Sequence, residues 1–502
     1  MSPVLHCFIL SSGSNRARLR KLALISLLSM IHSYSDGQET FGSIHSNYQP
    51  TNSVLINPSS MLDAKTWLDF DLLGVGTYLN NDLVYLRQSS VISLINSQGR
   101  NLTEEDLVYN QTRNVYHAYS RTFANVLLGT WSQGNHAVGI HFGGRAYVDA
   151  RKIDGVVSQF IENGVSNYTE QHLTDYDAKK LKVNALAYGQ AQLSYAYTFY
   201  KKQRVMMMGG ISLKKIFPIV GGAVKVNEFS YNVRDAVQMS IFSLRGDMMG
   251  AVTPGFSMKG GWGIDLGFTY QKMYADCSNY YPNSKRGGCG RIPYKWKLGV
   301  SIIDIGYAKF DPNNINYVGY EVDNYEFFNY ADVSPDENSF PQILIDAEDN
   351  PDQGLIRKPH KMRLPCAFSL QYDYNVKKNF FYLNLSWMHG IPAARWVYGP
   401  RRAHWISFTP RIETKIFDFA LPLSMYEYRY PQIGASLRLY FLTVGTDKLG
   451  SWLFKTDLYG SDIYAQIKLP LFRNPKCKKR GKGGKGRSYR GSGDIPHCDA
   501  YY

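Results

Sequence analysis

Along much of the chain, apolar residues recur at every second position. In 261–270, Trp262, Ile264, Leu266, Phe268 and Tyr270 share one face of an extended strand, and Gly261, Gly263, Asp265, Gly267 and Thr269 share the other. Successive side chains of a strand point to opposite sides, so one face is apolar and the other small or polar. A soluble sandwich would turn the apolar face to a core. A transmembrane barrel would turn it to lipid and keep the small polar face for the lumen. Recurrence separates the two readings. Val138, Ile140 and Phe142 oppose Gly139, His141 and Gly143; Leu193, Tyr195, Tyr197 and Phe199 oppose Gln190, Gln192, Ser194 and Thr198. The pattern returns in 366–374, 381–387, 433–441 and 462–472, with further strands expected in 66–79, 115–131, 205–217, 236–244, 295–310 and 403–428. Residues 88–112 read as a loop with a short helix. Strands of about ten residues suit a tilted membrane crossing, whereas soluble strands average five or six. The predicted fold class is all-β: a transmembrane antiparallel β-barrel of about 14 strands over 66–472. Residues 38–65, polar and turn-rich with a turn at Asn57-Pro58, are expected at or in the lumen.

What precedes the strands agrees with that reading. Arg16, Arg18, Arg20 and Lys21 lead into the apolar run 22–31, followed by polar residues to Gly37. This is the order of a secretory signal peptide, expected over 1–37. The run is too short to cross a bilayer as a helix, and no later run approaches eighteen apolar residues. Charged residues make up 19 % of the chain, below the ~25 % of ordinary domains, and Tyr reaches 38 residues, which fits aromatic girdles at two interfaces.

A net charge of +15 suggests nucleic acid until its location is considered. Residues 473–502 hold nine Lys/Arg against two Asp, and residues 1–37 four against one. The remainder carries no basic groove, so no nucleic-acid partner is expected. The Gly-, Lys- and Arg-rich tail 473–502 is expected in the periplasm, facing a cell-envelope partner, anionic lipid or nothing but solvent. Residues 311–356 hold eleven Asp/Glu and no Lys/Arg. They read as a solvated acidic loop, or as a calcium loop with Asp346, Glu348, Asp349 and Asp352 as oxygen ligands. In an oxidising setting Cys277 could pair with Cys289 and Cys477 with Cys498.

The chain has no GxSxG elbow, HExxH or phosphate-binding P-loop, and GWGIDLG lacks dinucleotide spacing. No enzyme activity, cofactor or metal site is expected. Asp265, Asp304, Arg145 and Arg438 fall within strands, and they are the candidate lumen residues, either as ligand contacts or as a structural polar network.

Several blocks resemble a known family: SNYQPTNSVLINPSS near the expected mature N-terminus, KGGWGIDLGFTY, YKWKLGVSIIDIGYAKF, SFTPRIETKIFDFALPLSMYEY and YGSDIYAQIKLPLF. Over roughly 45–472 the chain is similar to large outer-membrane barrels of Bacteroidota catalogued as a domain of unknown function. More distantly it looks like long-chain fatty-acid transporter barrels and barrel subunits of the type IX secretion system. The resemblance implies a monomeric outer-membrane barrel and supplies no substrate or functional residues. Two functions follow as expectations. One is a transporter that binds or passes a small hydrophobic ligand, with a partly apolar lumen and a lateral opening at a kinked strand. The other is an anchor or assembly platform for secretion or cell-envelope partners, with a lumen filled by side chains.

Overall fold

The computed structural model describes residues 40–97, 106–158, 173–178, 180–234, 239–255, 259–283, 291–327, 360–394 and 397–472. Among these residues, fourteen antiparallel strands close into one barrel. In chain order they are β1 (Leu68–Asn81), β2 (Val115–Gln133), β3 (His136–Asp154), β4 (Lys182–Lys202), β5 (Val205–Val233), β6 (Gly261–Met273) and β7 (Tyr294–Lys309). There follow β8 (Ala367–Lys377), β9 (Phe381–Gly390), β10 (Trp405–Glu413), β11 (Phe417–Ala420 with Leu423–Tyr426), β12 (Tyr430–Ile433 with Ala435–Leu439), β13 (Leu442–Thr446) and β14 (Asp462–Leu471). Strand β1 pairs with β2 on one side and with β14 on the other, which leaves the ring without an edge. No helix among the described residues is long and apolar enough to cross a membrane.

The alternation that opened the sequence reading is resolved inside out. Trp262 is 57 % exposed and Leu266 46 %, while Asp265 on the opposite face is fully buried. Leu193, Tyr195 and Phe199 point outward, and Gln190, Gln192 and Ser194 inward. The wall therefore shows an apolar surface outside and a polar one inside, the reverse of a soluble core.

The two ends of the barrel differ. Short turns at 134–135, 203–204, 378–380, 414–416 and 440–441 lie at the end where β1 starts and β14 finishes. The connection 274–293 shares that end, and most of the longer connections, with one short turn at 427–429, lie at the other end, here the loop end. There β5 runs on past the ring: its residues 220–233 pair with Met239–Val252, which pairs in turn with Ile315–Phe327. This three-stranded extension corrects two expectations. The strand expected at 236–244 lies outside the ring, and the first part of 311–356 is strand, because residues 315–327 find the open edge of 239–252 as a ladder partner. The calcium-ligand candidates Asp346, Glu348, Asp349 and Asp352 lie outside the described residues. The helix expected in 88–112 is Val91–Ser97, beside a small sheet formed by 84–89, 107–109 and 456–458.

One seam of the wall is irregular. Between β1 and β2 the ladder runs to Asp71–Leu128 and resumes at Gly74–Asn125, so Leu72 and Leu73 have no partner opposite Val126 and Leu127. Leu72 is also skipped by β14, and Val126 by β3. Each bulge shifts the inward phase by one residue: Asp69 and Asp71 are inward before it, Gly74, Gly76 and Tyr78 after it.

Candidate functional site

The lumen is occupied by the chain itself. Residues 40–66 descend through it from the loop end to the turn end and then enter β1. The segment has little regular structure: one turn of helix, Pro50–Ser53, and a 3-10 turn, Pro58–Asp63, capped by Asn57 through the Ser59 N–H at 3.1 Å. A loop buried this deeply must satisfy its polar groups on the wall.

The Asn57-Pro58 turn is seated on wall glycines. A Cβ on Gly267 would stand 2.2 Å from Asn57 Oδ1, and one on Gly210 2.5 Å from the Ser59 nitrogen. Both contacts are closer than any side chain could accept, so Gly267 of the small face read in 261–270 bears the imprint of the inserted segment, whereas Gly261 and Gly263 face Tyr307 and Leu364. Asn57 Nδ2 donates to Gln371 Oε1 at 3.0 Å, and the hydroxyls of Ser59 and Thr269 lie 2.7 Å apart.

Below the turn, charge takes over. Arg411 forks onto Asp373 at 2.6 and 2.7 Å and reaches Glu413 at 2.6 Å. Glu413 accepts from Asn47 N and Nδ2, and Lys65 lies 3.5 Å from it. Lys297 bonds Asp63 at 2.7 Å. Arg438 forks onto Asp418, both at 2.6 Å, and Asp418 also accepts from Ser46 at 2.7 Å. Lys468 bonds Asp69 at 2.8 Å.

The lumen candidates divide between two places. Asp265, Asp304 and Arg145 come together in the wall: Asp304 accepts from Lys214 at 2.5 Å, Arg402 at 2.8 Å and Arg145 at 3.1 Å, and Lys214 also reaches Asp265 at 2.7 Å. Asp304 has φ +57°, at a break in the β6–β7 register, and its N–H is held by Asp265 at 2.7 Å. Arg438 lies apart, paired with Asp418 against the segment. Lys214 escaped the sequence reading although it occupies an inward position of a clean alternation, Ser212-Lys214-Ile216. Arg402 comes from the irregular connection 391–404, where no periodicity could announce it.

Toward the loop end the interior becomes aromatic. Phe41 packs on Trp405 (ring centroids 5.6 Å), which meets Tyr78 at 5.4 Å and Tyr426 at 4.9 Å. Lys448 lies at the edge of this cage, its Nζ 4.8 Å from the centre of the Tyr78 ring and 2.6 Å from Asn80 Oδ1. Burial pushes its amine down to about 7. A cavity of ≈ 40 Å³ between segment and wall is lined by His45, Asn47, Asn57 and Lys297, and a second of ≈ 30 Å³ lies nearer the turns. Each has room for a few waters, far from the ~300–1,000 Å³ of a small-molecule pocket.

Cys277 is a buried free thiol, its Sγ 3.3 Å from the Val205 carbonyl. Its expected partner Cys289, and the expected pair Cys477 and Cys498, lie outside the described residues. No group of three or more His, Cys, Asp or Glu among the described residues could hold a metal ion.

Residues 58–447 match a protein family described as a family of unknown function, DUF5723. No curated protein matches the chain. Among solved structures, the P. putida toluene transporter TodX aligns at 8 % identity over 84 % of this chain and 94 % of its own, with a TM-score of 0.28. A Pseudomonas aeruginosa FadL homologue aligns at 8 % identity over 85 % and 95 %, with a TM-score of 0.22. Likenesses this weak carry no argument about a ligand.

Proposed function

The chain belongs to the DUF5723 family of unknown function, and from its own geometry we propose an outer-membrane passage for a small hydrophobic ligand, closed by its N-terminal segment. The apolar exterior, the edgeless ring and the polar interior suit a bilayer, and an end of mostly short turns opposite an end of mostly long connections suits periplasmic and outer faces respectively. On that reading the extension and residues 311–327 stand outside the cell.

The observation that carries the ligand reading is the contrast along the lumen. The inserted segment is gripped by charge and amide bonds toward the turns, whereas toward the loop end the Phe41 ring sits inside an aromatic cage and its N–H donates to Asp447 at 3.1 Å. Withdrawal of Phe41 would uncover apolar surface at the cost of its hydrogen bond to Asp447 and of no ion pair. A second reading, a non-transporting anchor or assembly platform, is favoured by the tightly filled lumen and the tall extension.

Lipid extraction and mass spectrometry of the protein from its native membrane, beside an unrelated barrel, divides the two. Enrichment of an apolar compound supports passage. Absence of enrichment, with co-purifying proteins lost on deletion of 473–502, leaves the platform.

A further inference from the structure

The irregular seam between β1 and β2 has an unusual interior. Asp71 is 1 % exposed, and neither of its carboxylate oxygens has a hydrogen-bond partner. Asn125, across the seam, is equally buried, and its Nδ2 is also unpartnered. A buried carboxylate or amide left alone is costly, so two side by side call for an explanation.

Their surroundings fix which way each is polarised. Gln190 Nε2 lies 2.9 Å from His141 Nδ1, and an amide nitrogen can only donate, so His141 Nδ1 accepts. The neutral ring then carries its proton on Nε2 and donates to Asn125 Oδ1 at 2.8 Å. The amide of Asn125 is thereby held with its oxygen used and its N–H groups free. Gly74 provides the space between. A Cβ there would lie 3.1 Å from Asp71 Oδ2, 3.2 Å from Gln466 Cγ and 3.5 Å from Asn125 Nδ2, so an acceptor and a donor converge beside the glycine with the Gln466 stem as the third wall. On the outer side of the same gap in the ladder stand Leu72 and Val126, 46 % and 63 % exposed.

We infer that Asp71, Asn125 and Gly74 form a niche for the hydroxyl head of a hydrophobic ligand whose tail lies outside along Leu72 and Val126. The inference rests on the ligand reading and names its chemical class. A hydroxyl can donate to Asp71 while accepting from Asn125. A carboxylate has no proton to give Asp71, and a hydrocarbon would leave both groups unpaired.

The test uses the full chain in lipid nanodiscs, equilibrated with dodecan-1-ol, dodecanoate or dodecane and compared with an unrelated barrel, retained probe being measured by mass spectrometry. Wild type should retain dodecan-1-ol over the other two, and Gly74→Ala, which fills the niche with one methyl, should lower that excess about tenfold. Asp71→Asn offers an amide donor in place of the charge and should move the preference toward dodecanoate, a change that mere loosening of the wall would not produce. The heat-dependent gel shift of a folded barrel verifies each variant. Equal retention of the three probes, or an alcohol preference untouched in folded Gly74→Ala, overturns the niche and leaves the passage standing. Retention of no probe above the control barrel overturns the passage, and the niche with it.

Discussion

Glu413 in the wall receives both the backbone N–H and the side-chain amide of Asn47 in the inserted segment, at 3.2 and 2.8 Å. One carboxylate thus holds two donors of the segment while it also neutralises Arg411 at 2.6 Å. Glu413→Ala should cost about 3–5 kcal/mol, because buried cationic and amide groups lose their acceptor. Trypsin cleavage at Lys65, followed with the purified protein, should become faster than in wild type; an unchanged rate would mean that the clamp is dispensable.

Gly267→Ala places a methyl 2.2 Å from Asn57 Oδ1, whereas Gly250→Ala in the extension meets nothing within 4 Å. The first should expel the Asn57-Pro58 turn while the barrel persists, and current through single molecules in planar bilayers should rise. The second should change stability by less than ~0.5 kcal/mol. Equal behaviour of the two variants would contradict the seat.

Phe41→Ala removes the ring that fills the aromatic cage around Trp405. A cost of about 3–5 kcal/mol is expected from the cavity and lost burial. Retention of an apolar probe should increase, since the space vacated is lined by Trp405, Tyr78 and Tyr426. A destabilised variant with no added retention would favour the platform reading.

His404, in the connection at the loop end, is held down to about 4 by burial, and the Arg401 cation adds to this while Glu427 opposes it. Its Nδ1 accepts the Gly390 N–H at 3.2 Å and its ring stacks on His389 at 4.2 Å. Between that value and the ordinary 6.5, the unfolded chain binds more protons than the folded one, so stability falls as pH falls through the window. The midpoint of the heat-dependent gel shift should drop between pH 7 and pH 4.5, and His404→Gln should lose part of that drop.

The barrel was legible because an inside-out strand writes its orientation residue by residue, as in Trp262 against Asp265. What the alternation could not carry was anything that breaks it. The bulges at Leu72 and Val126 shift the phase within a strand, so a single register read across 66–79 misses the turn inward of Gly74. The extension was misread for a related reason: 239–252 alternates like a wall strand, and only its partners place it above the ring. Within the lumen, the grouping of Asp265 with Asp304 follows from adjacent inward positions, but Arg402 reaches them from a loop. The weight of Asn57 was hidden because its partners, Gly267 and Gln371, are far away along the chain.

The strand that follows directly on the inserted segment is also the strand that bonds to the last one, through Leu68–Leu471 and its neighbours. Closing the ring therefore joins two strands about four hundred residues apart along the chain, a contact that local pairing alone cannot bring about. The lumen's occupant runs straight into β1, so the seam that closes the ring also fixes the point where that segment leaves the wall.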